Sequence, residues 1–256
     1  MSTGLLPYVR VVSIPVFDVP MDQATRLIVD WGHSNSSAYV CVANVHMAME
    51  ARDDPEFGEI VRTADLVVPD GMPLVWMLRL LGHRLAARVR GPDLMLAVLA
   101  MAAKEDLPIG LYGGSEEVLE RLTARLHELH PDLKIAVSIS PPFRQLHQEE
   151  ETELSTRLRD SGARVIFVGL GCPKQEKWMA RHSHELNAPL VGVGAAFDFH
   201  AGAMREAPAW QQNLGLEWVY RLFQEPRRLW RRYLYHNPRF VLLALRQLVQ
   251  ARTSES

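Results

Sequence analysis

From Ala38 to Val193 the chain alternates short apolar runs with longer helix-patterned segments. The apolar runs are Ala38–Ala43 (AYVCVA), Leu66–Val68, Pro108–Tyr112, Lys134–Ser138, Arg164–Val168 and Leu190–Val193. Helical spacing marks Met21–Trp31, Val45–Ala51, Asp54–Ala64, Pro73–Leu81, Gly91–Glu105, Glu116–His130, Glu149–Ser161 and Lys174–Leu186. Strands short and continuously apolar, each followed by a helix, are what a parallel sheet covered on both faces requires. The expectation is an α/β fold: a Rossmann-like parallel sheet with helices on both faces. Upstream, Val9–Pro15 and Val16–Val19 predict two short strands, paired as a hairpin around Pro15.

Beyond Asp198 the pattern changes. Glu217–Gln224 and Arg227–Tyr235 predict helices broken at Pro226, and Pro238–Arg252 a last helix. The expected organisation is an α/β domain over residues 1–210 and a basic, amphipathic helical appendage over 211–256. From Glu217 to Arg252 there are eight arginines and only two acids, Glu217 and Glu225. Trp218, Tyr220, Phe223, Trp230, Tyr233, Tyr235 and Phe240 are interleaved with them. A basic, aromatic tail on a chain of net charge -2 points to a local anionic partner, such as a membrane surface, and not to nucleic acid. A core-covering helix pair with solvated arginines is the competing reading of the same tail.

No apolar run approaches the roughly 18 residues that span a bilayer. The N-terminal stretch MSTGLLPYVRVVSIPVFDVP lacks the charged and apolar regions of a signal peptide. Cys41 and Cys172 lie beside apolar runs and read as reduced thiols of a cytoplasmic protein. The histidines, His46 and His200 among them, show no metal-ligand spacing, and there is no Asp-x-Asp pair, so no metal and no cofactor is expected.

Ligands of parallel α/β sheets bind at the carboxyl ends of strands. Five post-strand segments carry suitable residues: Asn44-Val45-His46, Pro69-Asp70-Gly71, Gly113-Gly114-Ser115, Gly169–Glu176 and Gly192–Asp198, the last including Gly194. Glycines let backbone N–H groups approach a phosphate or sugar, and a following helix N-terminus favours anions. Asp70 ends an apolar strand and precedes a glycine. A carboxylate there can take a proton from an acceptor hydroxyl, or it can simply cap the helix starting near Pro73. Arg88 and Arg90 can hold a diphosphate or carboxylate bidentately, or lie solvated. Lys174 and Gln175 open a helix, where they can meet phosphate and sugar hydroxyls or stand in solvent.

Four groups of residues carry a family resemblance: ANVHMAMEARDDPEF…ADLVVPDGMPLVW…RVRGPDL, GLGCPKQEKWM, VGVGAAFDFHAG and EAPAWQQNLGLEWVYRLFQEPRRLWRRY. Over about Val12 to Tyr233 the chain resembles the WecG/TagA/CpsF glycosyltransferases. The resemblance implies an inverting, metal-independent transferase. It would move N-acetylmannosamine, its uronic acid or glucose from a UDP-sugar to a polyprenyl-diphosphate-linked sugar, on the inner face of the cell membrane. The products would be cell-surface polymers, and the exopolysaccharide members look closest. It implies Asp70 as base, with Arg88, Asn44 and Gln175 as matched site residues. Arg221, Arg228 and Arg231 match the family's C-terminal arginines. Lys174, Gly113, Gly114, Gly194 and Asp198 complete the expected substrate-binding set. Self-association is implied as well. One position departs: Val42 stands where the family usually has Thr, which leaves the donor sugar open. A non-catalytic nucleotide-sugar-binding protein of a polysaccharide assembly complex is the alternative. An epimerase or dehydrogenase would need G-x-G-x-x-G after the first strand, and none is there.

Overall fold

The computed structural model describes residues 6–254 except 143 and 145. The first five residues of the N-terminal stretch read above lie outside the described residues. In chain order the elements are β1 (Tyr8–Val11), β2 (Ile14–Phe17), α1 (Met21–His33), β3 (Ala38–Ala43), α2 (Val45–Asp53), α3 (Pro55–Arg62), β4 (Leu66–Pro69), α4 (Met72–Leu80) and α5 (Gly91–Lys104). There follow β5 (Ile109–Gly113), α6 (Glu116–Leu129), β6 (Ile135–Ile139), α7 (Gln148–Asp160), β7 (Val165–Gly169), α8 (Lys174–Leu186) and β8 (Pro189–Gly192). The chain closes with α9 (Ala196–His200), α10 (Ala209–Asn213), α11 (Glu217–Gln224) and α12 (Pro226–Ser254).

The expected α/β architecture is present. Among the described residues a parallel sheet flanked by helices has the strand order β4-β3-β8-β7-β5-β6, and β1 and β2 form a separate antiparallel pair. The hairpin turns at Val12 and Ser13, between the paired Val11 and Ile14, and not at Pro15, which sits inside β2 opposite Arg10. The chain divides into two compact units, each described by itself.

The first unit comprises Met21–Cys41 and Gly91–Arg205. Its central strands are buried along nearly their whole length, as continuous apolar runs demand. At the sheet edge β6 alternates between exposed and half-buried residues up to Ile139. Helices α1 and α5 pack together, and α1 comes close to β7 at Gly32, where a Cβ would lie 2.9 Å from the Arg164 carbonyl oxygen.

Among the described residues the second unit comprises 6–20, Val42–Arg90 and 206–254. Strand β4 packs on β2, and α12 packs on α2 and α11. One expectation is corrected here. The C-terminal segment is not interrupted at Pro238: α12 is a single helix with Pro238 inside it. Pro removes one backbone donor and crowds the preceding turn, a local cost that packing can offset. On either side of Pro238 the helix buries His236 and Phe240, and Arg239 reaches both oxygens of Asp53 at 2.6 and 2.7 Å. The short helices α9 and α10 were too brief to show a period in the sequence.

Candidate active site

In the second unit, two post-strand loops come together. Strand β3 ends at Ala43, whose carbonyl accepts from the N–H groups of Asp70 (2.8 Å) and Gly71 (3.2 Å). The approach is tight: a Cβ on Gly71 would lie 3.3 Å from the Cα and Cβ of Asn44. Asn44 caps α2, its side chain accepting from the Met47 N–H at 3.3 Å. Asp70, in contrast, caps nothing. The cap position of α4 is Gly71, with no side-chain cap bond. The Asp70 carboxylate is therefore not consumed by a helix end.

It faces arginine instead. Arg88 places a guanidinium nitrogen 3.5 Å from Asp70 Oδ1, and its Nε donates to the Asp70 carbonyl. The same side chain donates to Glu217 Oε2 at 2.7 Å and to the Gln212 carbonyl at 3.4 Å. Arg90 is turned elsewhere: it donates to Glu206 at 2.7 Å, and its Nε lies 3.8 Å from Glu217. These side chains are shielded, at 25% exposure for Asp70, 15% for Arg88 and 17% for Glu217.

Burial pushes the Asp70 carboxyl up to about 6. The Arg88 charge opposes that shift, Glu217 reinforces it, and Arg90 and Arg221 pull weakly the other way. A carboxylate of this kind is ionised at neutral pH yet far more basic than a solvated Asp, which suits a proton acceptor.

Glu217 is the residue that sequence reasoning missed. It was visible as one of two acids in an arginine-rich tail, but nothing local marks it as the partner of Arg88. The tail arginines differ in placement. Arg221 is half-buried and acts electrostatically on Asp70. Arg228 is exposed and pairs with Glu225, and Arg231 is exposed beside the Trp230 ring, 5.2 Å from its centroid. Val42, at the end of β3, is buried at 7% exposure.

In the first unit, the glycine loops are built around close backbone contacts. Gly113 has φ +124°, and a Cβ there would fall 2.6 Å from the Gly169 carbonyl carbon and oxygen. Gly114 donates to the Gly169 carbonyl at 3.2 Å and accepts from the Ser140 hydroxyl at 2.8 Å. Ser115 then caps α6. Gln175 is buried, at 3% exposure, with both ends of its amide engaged. Its Oε1 accepts from the Gly171 N–H at 3.2 Å and its Nε2 donates to Glu176 at 2.7 Å. It also lies under the loop after β8, 3.0 Å from where a Cβ on Gly192 would be and 3.6 Å from one on Gly194. Gln175 thus bonds within its own loop and packs closely against the backbone at Gly192 and Gly194. Lys174, one residue earlier, is exposed, and Asp198 is half-buried on α9. His200 binds the Pro92 carbonyl at 3.0 Å, a structural contact. A separate open concavity of about 850 Å³ is lined by His147, Gln148, Glu149, Thr152 and Glu153, none of them an expected site residue.

An α/β chain matched by a glycosyl transferase family model over residues 9–254 is a glycosyl transferase by class. It belongs to the WecG/TagA/CpsF family of those enzymes. Two relatives share one name, N-acetylglucosaminyldiphosphoundecaprenol N-acetyl-beta-D-mannosaminyltransferase. That of Bacillus subtilis is 30% identical over 211 residues, covering 82% of this chain and 80% of the relative. That of Bacillus spizizenii is 30% identical over 213 residues, covering 83% and 80%.

Proposed function

We propose that this chain is an inverting, metal-independent transferase that moves a sugar from a UDP-sugar to a polyprenyl-diphosphate-linked sugar, with Asp70 as the base. The observation that carries this reading is the shielded Asp70 carboxyl, raised to about 6 and held beside Arg88 without capping a helix. The names of the two Bacillus relatives supply the acceptor chemistry, a sugar on undecaprenyl diphosphate, and one candidate donor sugar, N-acetylmannosamine.

In this mechanism Asp70 takes the proton of the acceptor hydroxyl. The hydroxyl oxygen bonds to the anomeric carbon on the face opposite UDP. The bond from that carbon to the diphosphate breaks, and its electron pair leaves with UDP. Arginines take the place of a metal in stabilising developing phosphate charge. Arg88, Arg221, Arg228 and Arg231 are the candidates for that task. Asn44 positions a substrate hydroxyl. In the first unit, the loops at Gly113, Gly114 and Gly194 carry backbone N–H groups of the kind that bind phosphate. Lys174, Gln175 and Asp198 add polar contacts to substrate, Gln175 from a position that also shapes its own loop.

No helix among the described residues is long and apolar enough to cross a membrane. We assign membrane contact to the C-terminal segment, which exposes Leu214, Phe223, Trp230 and Leu234 among its arginines. Such a surface suits anionic lipid on the cytoplasmic face, each arginine near it adding about 1 kcal/mol. The same apolar residues suit self-association.

The test is product analysis by mass spectrometry, with a panel of UDP-sugars and a short-chain polyprenyl-diphosphate N-acetylglucosamine acceptor in the presence of EDTA. One extended lipid-linked product with stoichiometric UDP is expected. Binding without turnover of any donor supports the non-catalytic reading, and a strict requirement for Mg²⁺ removes the metal-independent mechanism.

A further inference from the structure

Helix α2 presents His46 and Glu50 one turn apart, and α12 brings His236 against them. The Glu50 Oε1 atom lies 3.6 Å from His46 Nδ1 and 3.4 Å from His236 Nε2. One ligand atom from each of the three residues falls within 4.8 Å of the others. The two imidazoles meet edge to face, with centroids 5.2 Å apart.

These separations are long for hydrogen bonds, which run at about 2.7–3.2 Å. They are the right size for a different object. With metal–ligand bonds of about 2.0–2.2 Å, the edge of a zinc tetrahedron is about 3.3–3.6 Å. Two of the three edges of the His46–Glu50–His236 triangle fall in that range, and the third, between the imidazoles, is within 4.8 Å.

The setting is also suitable. His46 and Glu50 side chains are 13% and 31% exposed and His236 is 9% exposed, so the cluster is shielded but open to an entering ion. A helical i, i+4 pair places two ligands on one face, and a third from another element closes the set. Of the two arginines that act on His236, Arg239 lies three residues on in α12, where both oxygens of Asp53 hold it and compensate its charge, and Arg232 lies one turn before. Two imidazoles and one carboxylate favour a transition-metal ion over magnesium or calcium, which prefer all-oxygen sites.

We propose that His46, Glu50 and His236 form a binding site for a divalent transition-metal ion of the zinc class, which fastens α12 to α2. The ion acts on the fold of the second unit and not on the reacting sugar, so the site stands independently of the transferase mechanism above. Its fourth coordination position is left for water.

The experiment uses the full chain without an affinity tag, stripped with chelator and dialysed against zinc. Metal content is read by mass spectrometry, thermal melting is followed with and without zinc, and cobalt is substituted to read its visible absorption. Wild type is expected to retain one zinc per chain, to melt higher as free zinc rises, and to show the intense bands of tetrahedral cobalt. Glu50→Gln and His236→Gln are each expected to weaken zinc binding by about tenfold or more. They should also lose the zinc-dependent rise, while melting close to wild type in chelator. Should either variant fail to fold, the cobalt spectrum of wild type decides alone: octahedral or absent cobalt bands overturn the site. Wild type that retains no zinc, or variants that bind it as well as wild type, overturn it equally.

Discussion

Arg88 donates to Glu217 at 2.7 Å while standing 3.5 Å from the carboxylate of Asp70. The guanidinium is therefore shared, and the closer bond goes to the residue that is not the proposed base. That sharing leaves Asp70 only partly compensated. Burial, reinforced by Glu217, prevails over the opposing arginines and leaves its carboxyl at about 6.

Transfer activity should therefore fall on the acid side, with an apparent pKa near the Asp70 value of about 6. Glu217→Gln removes a charge that raises Asp70 and frees Arg88 to approach it. Both effects lower the Asp70 pKa, so the acid limb of kcat/KM against pH should move to lower pH. An unmoved limb would show that Glu217 does not tune the base.

Asp70→Asn keeps the shape and removes the proton acceptor, so kcat should drop by about 10²–10⁴. UDP release with intact acceptor measures this, and near-normal turnover would remove Asp70 from the mechanism. The same variant should be more stable at pH 8. A folded-state pKa raised from 3.8 to about 6 means that stabilisation is fully present below about 4 and is lost as pH rises through about 6. The ionised form thus carries a standing cost of at most about 3 kcal/mol. The melting temperature of Asp70→Asn should exceed wild type at pH 8, and the gap should shrink towards pH 4.

Gly113→Ala should destabilise the first unit by about 2–4 kcal/mol, through a positive φ and a Cβ driven into the Gly169 backbone. Urea unfolding would measure it. A loss under about 0.5 kcal/mol would mean that the two loops separate easily.

Pro238→Ala should stabilise the second unit by about 1 kcal/mol or more, because it restores a donor inside the continuous α12. A rise in melting temperature is the expected readout. A fall would mean that Pro238 supports a bend that the packing needs.

The strand and helix order was legible because period and composition are local. AYVCVA is too short and too uniformly apolar for an amphipathic surface helix, and it is a fully buried strand. Proline misled for the same reason: Pro238 reads locally as a helix break, while the burial of His236 and Phe240 keeps the helix continuous. Among candidate site residues, Asp70 and the glycine loops were marked by standing directly after strands. Gln175 was marked as well, and only the structure shows that its amide bonds to Gly171 and Glu176 within its own loop.

By itself the sequence determined the α/β class, the strand-end loops and the candidate carboxylate, since each depends on neighbours a few residues apart. Only the tertiary structure decided that Arg88 is shared between Asp70 and Glu217, and that His46, Glu50 and His236 meet. Those relationships join segments distant in the chain, and their energetics depend on separations and shielding of a few ångströms, which no local pattern encodes.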